Sequence, residues 1–158
     1  MKKILLTLTL SILTSFSITY SAFAEEKNIE ININSLKDQF GQAAQITPET
    51  KWVIFVSEKP ASKLFAKAID DLKINLDEKP VVYVSDISKM PALITKMFAL
   101  PKMKKMKYKM VLDRKGETTK DWPKEAGAIT VISLSNNKTN EVKYLKDQTS
   151  TEAFLKSL

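Results

Sequence analysis

The chain of 158 residues contains no cysteine and no histidine, and only three glycines. Without cysteine there is no disulfide, so stability has to come from packing. Thiolate nucleophiles, thiol–disulfide exchange, iron–sulfur ligation and cysteine-bound zinc are excluded as well. Without histidine, the commonest metal ligand is missing, and so is the side chain best suited to proton transfer near neutral pH. No glycine-rich loop stands at the main strand-to-helix corner. Past the first two dozen residues, no apolar run is long enough to cross a bilayer. There is no internal repeat and no low-complexity segment.

What is present begins with a targeting segment. Lys2 and Lys3 precede an apolar, Ser- and Thr-containing run over 4–20, and Ala22-Phe23-Ala24 is a small-x-small cleavage signal. Residues 1–24 are thus expected to be a secretory signal peptide cut before Glu25, leaving a single exported domain over 25–158. With Lys2 and Lys3 gone, 23 basic residues face 18 acidic ones, a net charge of +5. A moderately basic exported protein suits anionic surfaces or partners, and nucleic acid is not expected. The expected location is the periplasm or the exterior.

The chain is organised around residues 51–72. Trp52-Val53-Ile54-Phe55-Val56 is continuous, β-branched and aromatic, as a strand covered on both faces would be. Leu64, Phe65, Ala68, Ile69 and Leu72 recur at three and four residues and form one face of a helix. Between them, Ser57, Glu58, Lys59 and Pro60 make a polar corner, the place where a parallel α/β sheet usually puts its chemistry.

Upstream, Ile29, Ile31 and Ile33 alternate with polar residues, and this predicts a half-exposed strand. Gly41 turns the chain, and 43–46 returns to close an N-terminal hairpin. Downstream, Val81-Val82-Tyr83-Val84 is a second buried strand. Ser88 is the expected N-cap of a helix with Pro91 in its first turn and Leu93, Ile94, Met97 and Phe98 as its apolar face. Pro101 should end or bend that helix. A strand ending at Asp113 follows, then a turn over 114–117 and an irregular stretch over 118–127. A strand over 128–134 pairs with 141–145, and Thr149 with Glu152 forms a capping box for a last helix over 150–158. Strand–helix–strand units imply parallel central pairing with right-handed crossovers. The expected class is α/β: a central mixed sheet with an N-terminal β-hairpin, flanking helices and a C-terminal ββα.

Several local phrases agree with one family. Leu36-Lys37-Asp38-Gln39-Phe40-Gly41-Gln42, Lys51-Trp52-Val53-Ile54-Phe55-Val56-Ser57 and Val111-Leu112-Asp113-Arg114-Lys115-Gly116-Glu117 resemble three segments of exported thioredoxin-like proteins of the TlpA, ResA and peroxiredoxin type. These are the lead-in, the first core strand and the late hairpin. Val82-Tyr83-Val84-Ser85-Asp86-Ile87-Ser88-Lys89-Met90-Pro91 and Phe98-Ala99-Leu100-Pro101-Lys102-Met103 are similar to phrases of small exported bacterial proteins sometimes labelled flavin-containing dehydrogenases. No motif here supports that label, and no cofactor is expected. The resemblance implies a thioredoxin-like fold. It also implies a redox CxxC, which would fall at Lys59, Pro60, Ala61, Ser62 and Lys63, and a facing cis-proline, for which Pro123 is the nearest candidate. With no cysteine, the redox role does not carry over, and a fold alone does not give a function.

Four constellations remain. Lys102, Lys104, Lys105, Lys107 and Lys109, with Tyr108 among them, offer a surface for an acidic partner or an anionic leaflet; lysines also guard exposed strand edges. Ser62 near a helix start, with Lys59 and Lys63 beside it, partly resembles a serine–lysine hydrolase, although no oxyanion loop or third residue is identifiable; capping explains the serine more simply. Met90, Met97, Met103, Met106 and Met110 lie close together. Thioethers suit cuprous ion, but the interleaved lysines would repel it; the simpler reading has Met97 and Met110 filling the core, and no metal is expected. Asp38, Asp86 and Asp113 each fall at a turn, as Asx-turns do. The sequence therefore points to a noncatalytic binding or accessory module for an envelope protein. An electrostatic binder of anionic lipid or envelope polymer, and a hydrolase at the corner, are the rivals.

Overall fold

In the computed structural model, which describes residues 30–136 and 138–158, the run Trp52–Val56 is the strand from which the rest is laid out. The elements in chain order are β1 (Lys37–Asp38), β2 (Trp52–Val56), α1 (Lys59–Leu72), β3 (Val81–Asp86), α2 (92–103), β4 (Val111–Asp113), β5 (Ile129–Ser135), β6 (Lys138–Leu145) and α3 (Gln148–Lys156). One mixed sheet carries the strands in the order β1-β4-β3-β2-β5-β6. β3 runs parallel to both β2 and β4, while β1–β4, β2–β5 and β5–β6 are antiparallel.

Alternation along β2 splits the core. Ile54 and Val56 join Ala61, Phe65, Ala68 and Ile69 of α1 and Leu155 of α3 on one face. Val53 and Phe55 join Ile31, Ile33, Leu36 and Trp122 on the other. Both faces of β2 are thus covered, but the second is closed by irregular chain rather than by a helix. Phe55 meets Trp122 edge-on at 5.2 Å, which fixes the 118–127 stretch against the sheet.

Residues expected as strand before position 36 take that covering role. Ile31 and Ile33 are buried and Asn32 and Asn34 exposed, so the period-two pattern holds over 31–34, while Ile29 lies outside the described residues. Yet residues 30–34 join no ladder, because the isoleucines are spent on Val53 and Phe55 across the sheet face. The hairpin itself is shorter and later: Lys37 bridges Ala43 around Gly41, whose φ of 88° favours glycine. Asp38 Oδ1 accepts from the amides of Phe40 and Gln42 and closes that turn.

Three further expectations need correction. The second helix is capped at Pro91, not Ser88; the Ser88 amide donates to Asp86 Oδ1 in an Asx-turn that precedes it. The last helix is capped by Asp147, whose side chain accepts from the Ser150 amide at 2.8 Å, and Glu152 takes a bond from Gln148 instead. The 111–117 phrase does not start a hairpin. Asp113 is buried and accepts from the amides of Lys115, Gly116, Thr118 and Thr119 and from the Thr119 hydroxyl, which curls the chain away from the sheet. The late hairpin is β5–β6.

Candidate functional site: the corner and the second helix

The corner after β2 is a closed joint. Pro60 sits in the first turn of α1, where a missing amide donor costs nothing. Ala61 is fully buried against the sheet, Ser62 is half-buried, and Lys59, Pro60 and Lys63 are exposed. The Ser62 amide donates to the Glu58 carbonyl at 3.0 Å. Glu58 Oε2 accepts from the Gly127 amide at 2.9 Å, so its carboxylate ties the start of α1 to the loop entering β5. Behind the corner, Phe65, Tyr83 and Tyr108 pack as an aromatic trio with centroids 4.5–6.3 Å apart. Burial raises the Tyr83 phenol above its usual range, the neighbouring Tyr108 adds to this, and the hydroxyls of Ser62 and Ser85 act in the opposite direction. Burial likewise pushes Tyr108 up to about 12, with the Asp70 charge contributing. The Tyr108 ring is 5% exposed and belongs to the core, so it offers no surface for a partner.

The second helix is built differently. It consists of an α-helical turn, Ala92–Ile94, a π-helical stretch, Thr95–Ala99, and a second α-helical turn, Leu100–Met103. Pro101 accounts for the wide turn: it has no amide to donate to the carbonyl of Met97, and its ring would press on that carbonyl. The Leu100 amide reaches back to the Thr95 carbonyl instead. After the wide turn, Leu100 and Met103 pack on the core, as does Met106 beyond the helix. Before it, Thr95 is buried, and its hydroxyl donates to the Pro91 carbonyl at 3.2 Å.

The apolar face of this helix points away from the core. Leu93 is 66% exposed, Ile94 44%, Met97 57% and Phe98 63%. At about 100° per residue these four positions fill one arc of the helix. Met97 therefore does not fill the core, whereas Met110 does. Lys102, Lys104, Lys105, Lys107 and Lys109 are all exposed, and the Lys109 amide donates to Asp77 Oδ1 at 2.7 Å. Asp38, Asp86 and Asp113 each hold their own turn, and among the described residues no three acidic side chains gather in a metal-binding group. An open polar depression of about 590 Å³ lies elsewhere, lined by Glu30, Asn32, Asn34, Ser35, Thr118 and Trp122.

No family model matches the chain, and no curated protein matches it in sequence. Solved structures match it in fold. An uncharacterized thioredoxin-like protein from Porphyromonas gingivalis superposes with a TM-score of 0.52 at 18% identity, over 82% of this chain and 90% of the other. The reduced N-terminal domain of PilB from N. meningitidis gives 0.50 at 12% identity, over 81% and 95%. The fold is thioredoxin-like. With no cysteine in the chain, the thiol redox chemistry associated with this fold is absent.

On this thioredoxin-like scaffold the charge is unevenly placed. Residues 87–112 carry seven lysines and no aspartate or glutamate. The other 18 basic residues of the chain are balanced by its 18 acidic ones, so the formal +7 resides in this one segment. All seven lysines are exposed, and none takes part in an ion pair among the described residues. Counting acids as well as lysines along the sequence would have extended the basic run back to Lys89 and joined it to the apolar face of α2.

Proposed function

We propose that this thioredoxin-like protein is an exported, non-redox binding module of the bacterial cell envelope, and that it docks through the apolar face of α2. The observation that carries the reading is the cluster of Leu93, Ile94, Met97 and Phe98, each a large apolar side chain left in water on one helix face. Contiguous exposed apolar surface of this kind marks interaction sites. Fully burying a side chain of this kind from full exposure contributes about 1.5–3 kcal/mol, and these four, about half exposed, each have part of that to gain on docking. Export is supported by the charged start, apolar run and Ala22-Phe23-Ala24 signal at positions that lie outside the described residues. The corner lends a hydrolase less support: Glu58 is committed to Gly127, Ala61 is buried in the core, and Lys59 and Lys63 are exposed.

Sedimentation with envelope membranes tests this. The mature chain should cosediment, and the double variant Leu93→Ser with Phe98→Ser should lose about tenfold or more in affinity. Glu58→Gln with Ser62→Ala should bind as the native chain does. The reverse pattern would move the function to the corner.

A further inference from the structure

The geometry points to an anionic bilayer as the surface on which α2 docks; this rests on the docking reading above and names its partner. Three observations favour lipid over a protein groove. The first is charge. The segment over 87–112 holds the whole formal excess of the chain, seven lysines without one acid, and none of these lysines is neutralised by an ion pair among the described residues. Protein–protein interfaces are depleted in lysine, whereas a lysine-flanked helix with leucine and phenylalanine on its other face is the composition of an interfacial membrane helix.

The second is placement. Lys96 and Lys102 stand on α2 itself, which is about 18 Å long, and Lys104, Lys105 and Lys107 follow its last turn, so five of the seven cations lie on the helix that carries the apolar arc or within four residues of its end. On docking, their long stems would let the ammonium groups reach phosphates while the arc sinks between headgroups. The third is anchoring. Thr95 is buried, and Leu100, Met103 and Met106 pack on the core, so the helix is held to the domain while Leu93, Ile94, Met97 and Phe98 stay outside. It can enter a soft surface without local unfolding.

The test uses the chain from Glu25 onward, because the apolar run of residues 1–24 would itself bind lipid; the two core clusters lie wholly within the described residues after position 30. Binding is measured by flotation with vesicles of phosphatidylglycerol and phosphatidylcholine, and with phosphatidylcholine alone. The expected result is binding to the anionic vesicles that exceeds binding to the neutral ones by about tenfold or more, and that falls again when salt is raised from 0.1 to 1 M, where the screening length drops from about 10 to about 3 Å. Leu93→Ser with Phe98→Ser should abolish it, as should replacement of Lys102, Lys104, Lys105 and Lys107 by Glu. Circular dichroism should show both variants folded, since every altered side chain is exposed. Equal binding to both vesicle types would overturn the proposal. So would absent vesicle binding alongside envelope binding that protease treatment of the membranes removes; that second result would leave the docking face in place with a protein as its partner. Loss of envelope binding in none of the α2 variants would overturn the docking reading itself.

Discussion

At the scale of single residues, two buried groups carry more than their size suggests. Asp113 receives five hydrogen bonds from the chain that follows it, four of them from backbone amides. Asp113→Ala would leave those donors unpaired where water does not reach them all, and should destabilise the fold by about 3 kcal/mol. Asp113→Asn, which keeps an acceptor oxygen, should lose less; a urea midpoint for each variant checks the order. Tyr108 makes a prediction in pH. Burial and the Asp70 charge hold its folded pKa near 12 against an ordinary value of 10.0, so folding favours the neutral phenol. That contribution is complete below pH 10 and is lost as pH climbs through 12. Denaturation midpoints should fall as pH rises from 10 to 12, and Tyr108→Phe should lessen the fall, leaving the part that the buried Tyr83 phenol contributes. The identity of these residues was legible only in part. Asp113 was expected in a turn, and the number of amides it gathers depends on the path of residues 114–119. Tyr108 stands among lysines in the sequence, and its burial is decided by Phe65 and Tyr83, which are distant along the chain.

At the scale of elements, local pattern sufficed wherever one segment alone sets its own geometry. Trp52–Val56 as a two-sided strand and Leu64, Phe65, Ala68, Ile69 and Leu72 as the inner face of α1 were readable from periodicity, and the β5–β6 pairing from the polar turn between its strands; Leu64 and Leu72 pack at the margin of the core, and Ala61, which the pattern did not single out, is fully buried. Period alone does not say which side of a helix meets the core, and that is why the apolar face of α2 was read correctly as a group while its direction was not. The isoleucines at 31 and 33 show the same limit: alternation marks burial, and here both side chains are buried with Val53 and Phe55 on the face of the sheet while their backbone joins no ladder. Pro101 is expected to end or bend α2; the helix instead continues to Met103, and the turn before the proline is widened. Pro101→Ala should restore an amide that donates to the Met97 carbonyl and turn residues 92–99 by up to about 100° relative to Leu100 and Met103. In hydrogen exchange the new amide at position 101 should be protected and envelope affinity should drop. An unprotected amide with unchanged affinity would mean that the π-helical stretch has another cause.

At the scale of the whole molecule, a thioredoxin-like scaffold keeps its sheet and its corner and has no thiol to put there. The corner is tied shut by Glu58 and Gly127, and the exposed apolar and cationic surface has gathered on the next helix instead. The fold was legible because the order of strands and helices survives in composition and period. The proposed docking face was half legible: its lysines stood out, but its apolar residues are indistinguishable from core until their neighbours are known. The most direct measurement is hydrogen exchange of the chain from Glu25 onward with and without envelope membranes, read segment by segment. Protection confined to residues 92–107, with 57–63 unchanged, is the expected result. Protection at 57–63 with none over 92–107 would contradict a docking face on the second helix and return the corner to the centre of the function.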